Sequence, residues 1–113
     1  MIQIYHNSRC GKSRECLAFL EDSGNEYEII NYLHNVPTFE ELKIIIKKLG
    51  IKPIDLVRQK EKIWTDNFNN ITLSDDEVIQ AMILNPILIE RPIVINGDKA
   101  IIARPLEKIM TIF

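Results

Sequence analysis

Ile2-Gln3-Ile4-Tyr5, His6-Asn7-Ser8-Arg9, and Cys10-Gly11-Lys12-Ser13-Arg14-Glu15-Cys16-Leu17-Ala18-Phe19-Leu20 follow one another without a break, and this stretch decides the fold. The first block reads as a short strand and the second as a polar loop. The third reads as a helix that begins near Cys10 or Gly11, with Cys16, Leu17 and Leu20 on its apolar stripe, Glu15 and Glu21 outward, and Gly24 as its stop. Glu26 to Tyr32, with Tyr27, Ile29, Ile30 and Tyr32, is a second strand, so the chain opens β-α-β.

Further along the chain, Thr38 stands three residues before Glu41 at the head of an apolar-periodic run. That is a capping box opening a helix whose stripe is Phe39, Leu42, Ile45, Ile46 and Leu49, closed by Gly50. Ser74 and Glu77 repeat the cap ahead of Val78, Ile79, Met82 and Ile83, and Asn85-Pro86 stops that helix. Between them Pro53 to Arg58 reads as a short helix, and Glu61 to Thr72 as a polar, irregular segment anchored by Trp64 and Phe68. Ile93-Val94-Ile95 and Ala100-Ile101-Ile102-Ala103, joined through Asn96-Gly97-Asp98-Lys99, read as an antiparallel hairpin. Pro105 to Phe113 is expected to close the fold as a terminal helix. The order implies an α/β fold in one domain over residues 1–113: a small mixed sheet flanked by helices, with a helical insertion between the second strand and the C-terminal hairpin.

Composition narrows the function. The chain has 113 residues, 46% hydrophobic and 27% charged, which suits a globular core and excludes a disordered or low-complexity protein. Its net charge of −2 offers no bulk attraction to nucleic acid or to an anionic membrane, so an anion site has to be local. The longest apolar run, Cys16 to Leu20, is far short of the roughly 20 residues that span a bilayer. The amino terminus lacks the pattern of a secretory signal, and a cytoplasmic protein is expected. Two cysteines are too few for a disulfide scaffold, and two histidines and two cysteines without ligand spacing predict no metal site.

Cys10 is the residue that asks for chemistry. At the start of a helix its sulfur meets unpaired backbone N–H groups and the positive end of the helix dipole, which favour the thiolate and lower the pKa from its usual value of about 8.5. The same N–H groups can cradle an oxyanion. His6, Arg9, Lys12 and Arg14 add cations nearby. The other reading makes Cys10 an ordinary small loop residue beside a solvated basic face. Cys16, on the apolar stripe, reads as a buried inert thiol. A Cys10–Cys16 disulfide would have to close about 9 Å of helical rise against a limit of roughly 7 Å between Cα atoms. Ser13 occupies the place of the second cysteine of a Cys-x-x-Cys motif, so an outside thiol would have to resolve any covalent Cys10 intermediate. Ser13 either donates to the sulfur or caps the helix.

The segment Tyr5-His6-Asn7-Ser8-Arg9-Cys10-Gly11-Lys12-Ser13-Arg14, with Asn85-Pro86-Ile87-Leu88-Ile89, Arg91-Pro92-Ile93-Val94 and Arg104-Pro105, resembles the glutaredoxin-coupled arsenate reductases of thioredoxin-like fold, over nearly the whole chain. The resemblance implies Cys10 as nucleophile, His6 as its activating histidine, and Arg58, Arg91 and Arg104 as substrate-contacting arginines, with Ser13 and Arg14 beside them in the substrate set. It implies a cis-proline at Pro92. The substrate would be arsenate or a similar oxyanion, glutathione a co-substrate in place of any bound cofactor, and glutaredoxin the protein partner. Such an anion must be neutralised before an anionic sulfur approaches, which arginine forks do bidentately. Read by itself, Arg58 is equally a snorkelling helix residue and His6 a satisfied loop histidine. The sequence stops soon after Arg104-Pro105, whereas longer members of the family continue. A glutathione-dependent thiol oxidoreductase acting through Cys10 on a disulfide or glutathionyl adduct is therefore the alternative, and a redox transcription regulator of the Spx type a further one.

Overall fold

The computed structural model describes residues 1–113 and divides them into two compact units, one of Met1–Asn35 with Arg91–Phe113 and one of Val36–Glu90. The first holds strands β1 (Ile2–His6), β2 (Tyr27–Asn31), β3 (Ile93–Asn96) and β4 (Lys99–Ile102), helix α1 (Gly11–Ser23), and a C-terminal 3₁₀ segment, Leu106–Ile112. The sheet runs in the order β2-β1-β3-β4, with β1 parallel to β2 and the other neighbours antiparallel. This is the α/β arrangement with a small mixed sheet that the sequence predicts, and the second unit lies in the chain between β2 and β3, as the helical insertion does.

Alternation along β1 and periodicity along α1 meet in one core. Ile2 and Ile4 from β1, Val94 from β3, Cys16 and Leu20 from α1, and Ala103, Ile109 and Ile112 from the carboxyl end pack together. Gly24, with φ of 77°, ends α1 in the left-handed conformation that a side chain would resist. In the β3–β4 hairpin Asn96 pairs with Lys99, which leaves a two-residue turn with Gly97 first, at φ 63°; glycine there supplies the positive φ that matches the strands' twist.

In the second unit, α2 (Phe39–Leu49) and α4 (Asp75–Leu84) both open on complete capping boxes, Thr38 with Glu41 and Ser74 with Glu77. Two expectations change. The segment read as irregular contains α3 (Lys62–Asn67), whose Trp64 is buried and stacks on Phe68 at 5.2 Å between ring centroids. That helix has no side-chain cap and buries one residue, so it left no periodic signal. The segments at Pro53 and at the carboxyl end are 3₁₀ rather than α-helical. No helix is long and apolar enough to cross a membrane.

Leu20 has no exposed surface and sits at the centre of the first unit's core. Leu20→Ala should lower stability by about 2–5 kcal/mol, read as a drop in the urea midpoint at unchanged slope. A loss below about 1 kcal/mol would mean that the core collapses around the gap or is not packed as described.

Candidate active site

The loop between β1 and α1 is built by hydrogen bonds that converge on three residues. The Cys10 N–H donates to the Asn7 carbonyl at 3.0 Å, closing a turn over 7–10, and the Arg9 N–H donates to Asn7 Oδ1 at 3.0 Å inside it. The Asn7 N–H donates to Ser13 Oγ at 3.0 Å, and Ser13 Oγ lies 2.7 Å from His6 Nδ1. His6, Asn7 and Ser13 are all buried, Ser13 completely. Cys10 thus becomes the N-cap of α1, with extended backbone and its carbonyl accepting from the Arg14 N–H.

Two guanidiniums reach the sulfur from the far end of the chain. Arg104 Nη1 is 4.0 Å from Cys10 Sγ and donates to the Arg91 carbonyl at 3.2 Å. Arg91 donates to the Cys10 sulfur and acts on it through its charge. They arrive together because Ile93 pairs with Ile102, so that Arg91 just ahead of β3 and Arg104 just beyond β4 flank the same rung. The Arg91–Pro92 peptide is cis, as is Arg104–Pro105.

The Cys10 thiol is held below the ordinary cysteine value. Burial pushes it up, but the Ser13 N–H, the Arg91 hydrogen bond, the Arg91 charge and the Lys12 N–H together outweigh burial. Cys16, six residues on, has the opposite fate: burial and then the charge of Glu15 push it up to about 11, and it is an inert thiol of the core. Both cysteines are free.

The remaining residues differ from a simple picture of gathered cations. The His6 pKa is lowered, first by burial, with the Ser13 contact opposing and the Arg14 charge adding to the effect. Its neutral form is thus favoured, and it contacts Ser13 more than it supplies the positive charge suggested by its place among basic residues. The Ser13 hydroxyl is engaged by His6 and the Asn7 N–H, while its backbone N–H serves Cys10. Arg14 donates from Nη1 to the Ser8 carbonyl at 3.0 Å, bracing the loop. Arg58 belongs to the Val36–Glu90 unit, where Nε pairs with Glu61 at 3.2 Å and Nη1 with Glu90 at 2.9 Å. Two carboxylates already neutralise it. Asn7 is the residue that sequence reasoning passed over, although an asparagine opening a polar loop is a recognisable turn signal.

Two measurements check these electrostatics. Alkylation of Cys10 followed by peptide mass spectrometry should show a pH midpoint below the free-cysteine value of about 8.5, raised by Arg91→Ala, with Cys16 silent until the protein unfolds. An unchanged midpoint in Arg91→Ala would remove that guanidinium from the account. For His6, the folded pKa lies below the unfolded one, so well above about pH 6.5 the residue is neutral in both states and adds no slope. Below that, the unfolded chain takes up a proton that the folded chain refuses, and stability falls until the lower folded value is passed. His6→Gln should lose less stability between about pH 7.5 and about pH 5.5 than the unmodified protein, by urea midpoint at each pH; equal losses would place His6 in water.

With this geometry in place, the chain can be set against known proteins. It is similar to the arsenate reductase of Haemophilus influenzae, 46% identical over 96% of each chain, and to that of Escherichia coli K12, 38% identical over 98% of this chain and 79% of the other. Among solved structures, the arsenate reductase from Vibrio cholerae superposes with a TM-score of 0.94 at 41% identity, covering 99% of this chain and 97% of that one. The family model for ArsC matches residues 5–112, which include the Cys10 loop and both Arg-Pro junctions, and the chain belongs to the ArsC family.

Proposed function

We propose that this protein is an arsenate reductase that draws its electrons from glutathione and glutaredoxin in the cytoplasm. The observation that carries the reading is the meeting of Arg91 and Arg104 at a sulfur whose pKa is lowered. A thiolate and an arsenate anion repel, and two guanidiniums at the point of approach offset that repulsion while binding the anion's oxygens.

The chemistry runs in three steps. The Cys10 thiolate attacks arsenic and an arsenate oxygen leaves as water, which gives a sulfur–arsenic(V) bond. A glutathione thiolate then attacks Cys10 Sγ; the S–As electron pair stays on arsenic, which leaves as arsenite(III), and Cys10 becomes a mixed disulfide with glutathione. The glutaredoxin thiolate takes the glutathionyl group and Cys10 returns as thiolate. The absence of a cysteine at position 13 and the burial of Cys16 support an outside thiol for the last two steps, since no second reactive sulfur stands near Cys10 in the fold's first unit.

Purified protein supplied with arsenate, glutathione and glutaredoxin should release arsenite. Cys10→Ser should abolish turnover, and Arg104→Ala should lower kcat/KM at least about tenfold through loss of an anion contact. Turnover without glutaredoxin but with thioredoxin would overturn the reductant. Absence of arsenite, with Cys10 still exchanging with glutathionyl disulfides, would replace arsenate reduction by general thiol exchange.

A further inference from the structure

We infer that Asn7 is a positioning residue for Cys10: its backbone N–H, its carbonyl and its side-chain Oδ1 bond respectively to Ser13, Cys10 and Arg9, and together they set where the sulfur stands against the opening amides of α1 and the two arginines. The inference rests on the reading of Cys10 as a nucleophile. Asn7 touches neither the sulfur nor any reacting atom in the proposed scheme, so it acts through the loop.

The geometry requires this residue type. An acceptor one atom beyond Cγ can reach the N–H two residues on, which is the turn-within-a-turn that asparagine and aspartate make; serine imitates it more weakly and alanine cannot. Asn7 itself is only 5% exposed, and its Oδ1 is the fixed acceptor that holds the backbone of the exposed Arg9 against the turn; water can satisfy that N–H but cannot anchor it there. Its two backbone bonds are available to any residue except proline, which lacks the N–H. Removing the side chain therefore takes away one constraint of three and should leave the fold in place while loosening the loop.

Small displacements matter here because the arginine contact is already long. Arg104 Nη1 stands 4.0 Å from Sγ, and a hydrogen bond to sulfur does not tolerate further stretching. The stabilisation from the Ser13 and Lys12 amides is directional as well, so a sulfur that wanders keeps its burial cost and loses its compensation. A loosened loop consequently raises the proportion of neutral thiol at neutral pH.

The test uses the full chain and iodoacetamide, with alkylation of Cys10 followed across pH and thermal melts run in parallel. Asn7→Ala should move the alkylation midpoint upward and slow the reaction at about pH 7 by about threefold or more, and Asn7→Ser should recover part of that loss. An Asn7→Ala protein with the unmodified profile overturns the inference. So does an equal shift in Asn7→Ser and Asn7→Ala, because the acceptor would then not be what positions the loop, whatever the melts show. If the unmodified protein itself alkylates like free cysteine, both this inference and the nucleophilic reading of Cys10 fall; a normal profile without arsenite formation sinks the proposed substrate alone.

Discussion

The first unit is organised around a sulfur that is buried and yet held below the ordinary thiol pKa. Burial alone drives a thiol toward neutrality, and Cys16 shows the outcome when nothing opposes it: the same residue type on the same helix is pushed to about 11. Cys10 escapes because it stands at the end of the helix instead of inside it. There the amides of Lys12 and Ser13 have no helical carbonyl to serve, and Arg91 adds a full charge. Two cysteines six residues apart thus differ through position on a helix and contact with a guanidinium.

The sheet supplies the second half of that arrangement through register. Arg91 and Arg104 are 13 residues apart and meet because the hairpin between them pairs Ile93 with Ile102 and is tied beyond that rung by the Ala103 N–H donating to the Pro92 carbonyl at 3.0 Å. A slip of one residue would turn alternate side chains to the other face of the sheet and carry one arginine away from the sulfur. The two-residue turn at Gly97-Asp98 therefore bears on the chemistry from the far end of the hairpin. The β1 strand, hydrogen-bonded to β3, delivers His6 and the Cys10 loop beside the same junction.

Much of this was legible in the sequence, and the reasons separate by range. The two capping boxes, the glycine stop of α1 and the hairpin rest on residues within a few positions of one another, so local patterns sufficed. The α3 helix was not legible, because a six-residue helix with one buried side chain has no periodicity to detect. At the site, Cys10 and the Arg-Pro pairs were visible, but the state of each neighbour was not. Proximity in sequence made His6 look like a cation, whereas burial, aided by the Arg14 charge and against the pull of the Ser13 contact, favours its neutral form. Arg58 shows the same division: Glu61 at i+3 was open to inspection, and Glu90, 32 residues on, was not.

Local charge then decides what the pocket can accept. The chain as a whole carries −2, so an anion approaching from a distance gains nothing from the net charge, and any attraction must come from within about a Debye length of 8–10 Å. At the sulfur that attraction comes from Arg91, which acts on Cys10 through its charge, and from Arg104, whose Nη1 stands 4.0 Å away. A protonated His6 would add charge to a loop that already carries Arg14, and a thiol whose pKa is pushed lower is also a weaker nucleophile. Burying the histidine against Ser13 uses it to orient the loop without adding to the charge.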